Sequence, residues 1–433
     1  MTALAGPRGS RLHVEPSGDA PLVWIDIAIT GGAALDPIGI EGLHRHAALL
    51  ARRGAGLRNR AAFDDALDGL GAALEISVGR DSVVLSGLAL TRNLDALVEL
   101  AADVLAQPRF DQDEHERLLR ETPQVLDEVR DDDSALATRW FDYRCAPGHP
   151  YGRTALGTES SLARITREDA AALWRAEAVC DNLVLGIAGD VDVARAMAIA
   201  ARLTERLPAT GAPPPLALTR EPAPPGRRLV VVDKAERTQA QLRFGHLGPR
   251  WGDPDTAALL VVEAAFGGMF SSRLMQEIRV KRGWSYGAGC AIRRSRGPHW
   301  IEMWMATAID VAGPATALTL DLYADLAAKG VTADELDFAR AYLVGAMPFH
   351  LATARQRMQL AVRDETFGLP VGFTAGLPGQ LGTLTVEDVA GACRRNLRPD
   401  DVVTVAVTTA EVAAEGLAAA GAGPITVVAH DAY

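Results

Sequence analysis

Gly267-Gly268-Met269-Phe270-Ser271-Ser272-Arg273-Leu274-Met275-Gln276-Glu277-Ile278-Arg279-Val280-Lys281-Arg282-Gly283-Trp284-Ser285-Tyr286 reads as a glycine turn, a short helix, a glycine break and the start of a strand. Ser271 or Ser272 is placed to cap the first free N–H groups of the helix. Leu274, Ile278 and Met275 give it an apolar stripe at helical spacing. Gly283 is the residue type that ends helices in the left-handed conformation. Trp284 to Ile292 then reads as a strand. The spacing puts Arg279 near the helix end and Tyr286 at the strand start, so a guanidinium and a phenol can converge. Both are hydrogen-bond donors, suited to a carbonyl oxygen or an oxyanion. Without further context, a surface arginine and a half-buried tyrosine have the same appearance.

Outward from this stretch the chain alternates strands and helices. Leu22 to Thr30 carries Val23, Ile25, Ile27 and Ile29 at period two and reads as a strand. Ile40 to Arg53 reads as a helix, as do Ala61 to Leu70 and Leu94 to Leu105. Ala73 to Val78 and Ser82 to Leu90 read as a strand pair. Asp111 to Cys145 is a long helical region that Pro123 is expected to break. Arg167 to Ala176 is a helix capped by Thr166, and Asn182 to Ile187 a strand. Leu207 to Gly226 holds seven of the 24 prolines, a density that no packed element tolerates, and reads as a linker. Beyond it the pattern repeats weakly. Ile165-Thr166-Arg167-Glu168-Asp169 followed by Asn182 to Val191 compares with Leu384-Thr385-Val386-Glu387-Asp388 followed by Val402 to Val407. The expected fold is α+β: a first domain over 1–206, a linker over 207–226 and a second domain over 227–433. Each half is an antiparallel-rich sheet with helices on one face.

Composition narrows the function classes. A length of 433 residues, 48% hydrophobic and 23% charged, is ordinary for a globular protein. A net charge of −11 argues against a general nucleic-acid binder and suits basic or neutral peptides. No run of about 18 apolar residues suggests a membrane span. The first residues hold no apolar run after a basic one, so no leader peptide is read. Cys145, Cys180, Cys290 and Cys393 are far apart with no C-x-x-C, which argues against cysteine-held zinc and fits a reducing compartment. Cytoplasmic placement is expected; a periplasmic one is the alternative if a leader was trimmed.

The quoted stretch resembles the second-half signature of the pitrilysin/insulinase family of zinc metallopeptidases, in which Ser-Arg-Leu, an Arg, a Gly and a Tyr follow at this spacing. The first half adds Gly42-Leu43-His44-Arg45-His46-Ala47-Ala48-Leu49, Phe110 through Asp133, and His149-Pro150-Tyr151-Gly152 with Gly157-Thr158. The resemblance implies a clam-like half-chamber of two related halves. In active members Gly-Leu precedes H-x-x-E-H, whose two histidines bind zinc while the glutamate activates water. Carried over residue by residue, the first His falls on Arg45, the Glu on Ala48 and the second His on Leu49. None has a donor atom for zinc. Glu128 matches the third ligand and reads as a relic, with Glu121 on the same helix. His44 and His46 lie about 200° apart on a helix, at roughly 100° per residue. They cannot share an ion, and read as one solvent-facing and one packed histidine.

The resemblance therefore implies a metal-free subunit of a split peptidase. It carries no cofactor of its own. Its expected partner is a homologous H-x-x-E-H chain holding the zinc, and its substrate a peptide. Homodimers are an option when it is alone, and neither nucleic acid nor membrane is involved. Arg279 and Tyr286 are the candidate catalytic residues, gripping substrate backbone and oxyanion. Gly267, Gly268 and Ser272 are the candidate substrate contacts beside them. The alternative is an inert scaffold, or a presequence- or peptide-binding subunit of the same fold.

Overall fold

A computed structural model describes residues 2–211 and 224–432. Most of the expected linker, Leu207 to Gly226, lies outside the described residues. The chain packs as two compact units that do not follow its halves. One comprises Met1–Val125, Thr154–Ala217 and Pro348–Thr374; the other comprises Leu126–Arg153, Leu218–Met347 and Ala375–Tyr433.

The first unit is built on a six-stranded sheet. In spatial order its strands are Thr2–Ala5, Arg11–Pro16, Leu183–Gly189, Leu22–Thr30, Ser82–Leu90 and Ala73–Val78. Leu22–Thr30 is central, antiparallel to Leu183–Gly189 on one side and Ser82–Leu90 on the other. Its β-branched residues suit a strand buried on both faces. Arg11–Pro16 runs parallel to Leu183–Gly189. The second unit repeats the plan: Ile425–Ala429, Arg228–Asp233, Val403–Thr408, Gln239–Leu247, Trp300–Ala308 and Ala288–Ile292. The parallel pair, Arg228–Asp233 with Val403–Thr408, and the antiparallel strands beyond it match position for position. Only the outer edge differs. Thr2–Ala5 joins antiparallel to its neighbour and Ile425–Ala429 parallel. The duplication expected from the sequence is thus a duplication of sheet topology.

Each sheet carries helices on one face, as expected, and a further helix on the other. In the first unit, helix Leu94–Ala106 lies on the face of Gly87, where a Cβ would meet Leu97 at 3.2 Å. The opposite face, with Ala28, Val184 and Ala188, is covered by Ala354, Met358 and Val362 of helix Ala354–Thr366. Gly186 is the seat: a Cβ there would lie 2.2 Å from the Met358 sulfur. In the second unit, helix Asp133–Cys145 lies on strands Gln239–Leu247 and Val403–Thr408. A Cβ on Gly245 would meet the Phe141 ring at 2.9 Å. Each sheet thus receives a helix from the other half of the chain.

Helix Gln112–Asp131 does not break at Pro123, as the sequence led us to expect; the proline is inside it. A proline removes a single N–H donor, and the helix continues past it. The break comes at Asp132, whose side chain accepts from the Ala135 N–H at 2.7 Å and starts helix Asp133–Cys145.

Candidate functional site

Two places carry the residues singled out above. The first is helix Leu43–Ala51 in the first unit. Gly42 precedes it at φ +95°, with the Gly157 backbone 3.1 Å from where a Cβ would stand. Only glycine takes that conformation against that neighbour without strain. The carboxylate of Asp36 caps the helix, accepting from the N–H groups of Gly42 at 2.7 Å and His44 at 2.9 Å. Negative charge at this end also complements the helix dipole.

His44 is buried. Its Nδ1 lies 2.6 Å from Asp36 Oδ1 and its Nε2 lies 2.9 Å from Glu177 Oε1. Burial pulls its pKa down, but hydrogen bonds and charge from both carboxylates prevail and raise it to about 9. It is an imidazolium donating to two carboxylates. His46 is also buried, with Nε2 2.8 Å from His115 Nδ1. Burial, then the neighbouring His115, Arg45 and Arg53, push it down to about 3, so it stays neutral. The expectation of a solvent-facing histidine is therefore corrected. Both are buried, because the charges that satisfy His44 come from Asp36 before the helix and Glu177 far along the chain.

The residues at the zinc positions do not fit zinc. Arg45 is half-buried, its pKa lowered by burial and by Arg53. Ala48 is fully buried and Leu49 half-buried, and neither has a donor atom. Glu121 is bound to Arg53, and Arg53 reaches Glu114 at 3.3 Å. Glu128 is exposed. Among the described residues, no group of three or more His, Cys, Asp or Glu side chains is placed to hold an ion.

The second place is the quoted stretch, in the second unit. Helix Thr256–Glu263 runs into a wide π turn, Ala264–Gly268. Gly267 is buried against the neighbouring strand: a Cβ would stand 2.2 Å from the Cys290 nitrogen. Gly268 is exposed. The expected serine cap is absent. Ser272 is buried, and its hydroxyl has no hydrogen-bond partner among the described residues. The helix itself is wide. Met275–Val280 is π-helical, with the Lys281 N–H donating to Gln276 O at 2.9 Å. Such wide turns are uncommon and concentrate at functional sites. Gly283, at φ +66°, ends it as expected. The strand begins at Ala288, not Trp284. The residues between form a loop in which the Ser285 hydroxyl donates to Gly287 O at 2.7 Å and accepts from the Gly287 N–H at 3.2 Å. That hydroxyl satisfies the backbone that a strand would have paired.

The loop and the π turn bring Arg279 and Tyr286 together. The Arg279 guanidinium carbon lies 4.6 Å from the Tyr286 ring centre and 4.9 Å from that of Phe270. Tyr286 is 88% exposed and Phe270 64%. Phe270 was not singled out in the sequence. Exposure is what gives it its place, and a single sequence does not report exposure.

Residues 164–343 match the family described as Peptidase M16 inactive domain. The matched span contains the Arg279–Tyr286 stretch and excludes helix Leu43–Ala51. Over that span the chain is similar to the M16 peptidases. It is 22% identical over 390 residues to a Helicobacter pylori protein named non-peptidase homolog YmxG, covering 90% of this chain and 89% of that one. It is 28% identical over 355 residues to an uncharacterized zinc protease of Mycobacterium tuberculosis, covering 78% of each. A mitochondrial-processing peptidase subunit beta from Lentinula edodes is 26% identical over 253 residues, covering 57% of this chain and 52% of that one. The crystal structure of a peptidase M16 inactive domain from Pseudomonas fluorescens superposes with TM-score 0.87 at 24% identity, covering 94% of this chain and 97% of that one. The pitrilysin/insulinase resemblance of the sequence is this M16 likeness. Among the described residues, no helix is long and apolar enough to cross a membrane.

Proposed function

We propose that this M16 chain is a non-catalytic subunit that acts on a peptide in trans. A homologous H-x-x-E-H chain supplies zinc and water, while this chain supplies Arg279 and Tyr286 to hold the substrate backbone and stabilise the tetrahedral oxyanion. One observation carries the reading. The Arg279 guanidinium makes no hydrogen bond or ion pair with any described residue, and it stands beside a tyrosine that is 88% exposed. Two donors held together and left open are what an incoming carbonyl oxygen requires. The donor-free positions Arg45, Ala48 and Leu49 support the division of labour, as does a relative named a non-peptidase homolog. Another relative is named a peptidase subunit, which supports pairing.

The test is reconstitution. The chain alone cleaves no peptide and carries no stoichiometric zinc by elemental analysis; mixed with its H-x-x-E-H homologue, it supports cleavage. Tyr286→Phe keeps the ring and lowers kcat on the order of 10²–10³-fold if the hydroxyl stabilises an oxyanion. A loss confined to KM identifies ground-state gripping instead. Full turnover with the Arg279→Ala/Tyr286→Phe double variant overturns the catalytic role and leaves the inert-scaffold reading. About one zinc per isolated chain overturns the division of labour.

A further inference from the structure

We propose that the Arg279 cluster recognises a free carboxylate on its peptide ligand: the α-carboxylate of a chain end, or an Asp or Glu side chain. This rests on the reading of Arg279 and Tyr286 as peptide contacts, and adds to it the chemical class of the peptide.

Arg279 carries a charge that no carboxylate among the described residues compensates. Nearby arginines have carboxylates of their own: Arg273 binds Glu335 at 2.6 Å and Arg282 binds Glu277 at 2.6 Å. Arg279 has neither carboxylate nor carbonyl among the described residues. Its contacts are the rings of Phe270 and Tyr286, at 4.9 Å and 4.6 Å. Rings attract the cation through their π faces without using its N–H groups as ordinary donors. The planar fork is held in place while its donors stay available. That arrangement suits bidentate binding of a carboxylate, which matches the guanidinium in geometry and charge; a neutral carbonyl uses only part of it.

The surroundings favour the same ligand. From Glu277 to Tyr286 the sequence carries Arg279, Lys281 and Arg282 against the single carboxylate Glu277. This is a positive island on a chain of net charge −11, and such a patch steers anionic groups toward itself. Val280, 57% exposed, and the two rings offer apolar contact to the residues flanking a carboxylate. A single-stranded nucleic acid also combines anions with stacking, but the overall negative charge repels a polyanion.

The experiment is fluorescence anisotropy on the isolated full chain. The probes are a labelled peptide with a free C-terminus and one internal Asp, its C-terminal amide, its Asp→Asn form, the doubly neutralised form, and a labelled single-stranded oligonucleotide. Carboxylate-bearing peptides bind about tenfold more tightly than the doubly neutralised one, the effect of one charge-assisted hydrogen bond. The margin shrinks with added salt. Whichever single neutralisation removes it identifies the chain end or the side chain as the source. Arg279→Lys keeps the charge but loses the fork, and erases most of the margin. Equal affinity for neutralised peptide, absence of peptide binding, or tighter binding of the oligonucleotide overturns the proposal. Turnover in the mixed complex is a separate readout, so the carboxylate preference can fail while the role of Arg279 and Tyr286 stands.

Discussion

Helix Leu43–Ala51 and the Phe270–Tyr286 segment lie in different units and treat polar groups in opposite ways. On the helix the polar side chains that matter are spent internally: Asp36 on two N–H groups and His44, His44 on two carboxylates, His46 on His115. On the segment the guanidinium of half-buried Arg279 touches two rings, and neither it nor the exposed Tyr286 phenol has a hydrogen-bond partner among the described residues. Helix Leu43–Ala51 is here a closed structural element. The segment, built on π turns and a hydroxyl-stabilised loop, keeps its donors available. Perturbing the first should cost stability; perturbing the second should cost binding or turnover and little stability.

The largest expected effect is on His44. Replacing it by Leu leaves Asp36 and Glu177 buried near one another without the cation between them. Breaking a buried charge pair in this way typically costs 3–5 kcal/mol, so we expect about that loss in denaturant unfolding, at unchanged m-value. A loss below about 1 kcal/mol would show that the network is not what holds the helix.

The same helix sets a pH dependence, and its two histidines act in opposite directions. His44 has a folded pKa of about 9 against the ordinary histidine value of 6.5. Its contribution is complete below the unfolded value and is lost as pH rises toward the folded one, on the order of 3 kcal/mol in all. His46, held down to about 3, contributes fully above 6.5 and loses its contribution as pH falls toward 3. Together they place a stability maximum near neutral to slightly acid pH. His44→Leu should flatten the alkaline limb and His46→Phe the acid limb in thermal melts across pH. Limbs unchanged by the matching variant would break the assignment.

How much of this contrast the sequence held differs by region. Strands such as Leu22–Thr30 and Ser82–Leu90, the duplication and the unsuitability of Arg45, Ala48 and Leu49 as ligands follow from local residue types, whereas Thr2–Ala5, Arg11–Pro16, Arg228–Asp233, Trp300–Ala308 and Ile425–Ala429 are not read from them. Period-two β-branched runs and missing donor atoms need no tertiary context. The state of His44 depends on Glu177, separated from it by 133 positions, and no spacing rule connects them. The exchange of helices Asp133–Cys145 and Ala354–Thr366 between sheets was equally hidden. Asp133–Cys145 lies within a stretch that reads as plain helix and Ala354–Thr366 is not among the elements read from the sequence, and the seats that accept them are single glycines, Gly245 and Gly186, inside strands. In the second region the spacing of Arg279, Gly283 and Tyr286 brought the pair together correctly. The serine cap and the early strand were wrong for one reason: a wide helix and a Ser285 turn satisfy the backbone there by other means.

An intermediate effect separates Gly267 from the open residues beside it. Although it adjoins the exposed Gly268, it belongs to the packed part of the segment. A Cβ would stand 2.2 Å from the Cys290 nitrogen and 2.6 Å from its Cβ, so backbone must move. Gly267→Ala should cost about 1–3 kcal/mol, as overpacking does, while Gly283→Ala, at φ +66° with nothing within 4 Å, should cost about 1 kcal/mol from conformation alone. Reversal of that order in urea unfolding would place the Gly267 turn outside the packed framework.

The smallest expected effect on folding is at Tyr286. Its ring is 88% exposed and its hydroxyl donates to no described residue. Tyr286→Phe keeps the ring against the Arg279 guanidinium and removes only a solvated oxygen, so stability should stay within about 0.5 kcal/mol of the parent. Arg279→Ala removes the contact to both rings, and an exposed cation–π contact contributes roughly 0.5–1 kcal/mol. Its effect should be slightly larger than that of Tyr286→Phe and far below that of His44→Leu. If Tyr286→Phe destabilised the chain by more than about 1 kcal/mol, the hydroxyl would have a structural partner in solution. The segment would then be closed in the same sense as the Leu43–Ala51 helix, and Tyr286 would no longer be a free donor awaiting a peptide.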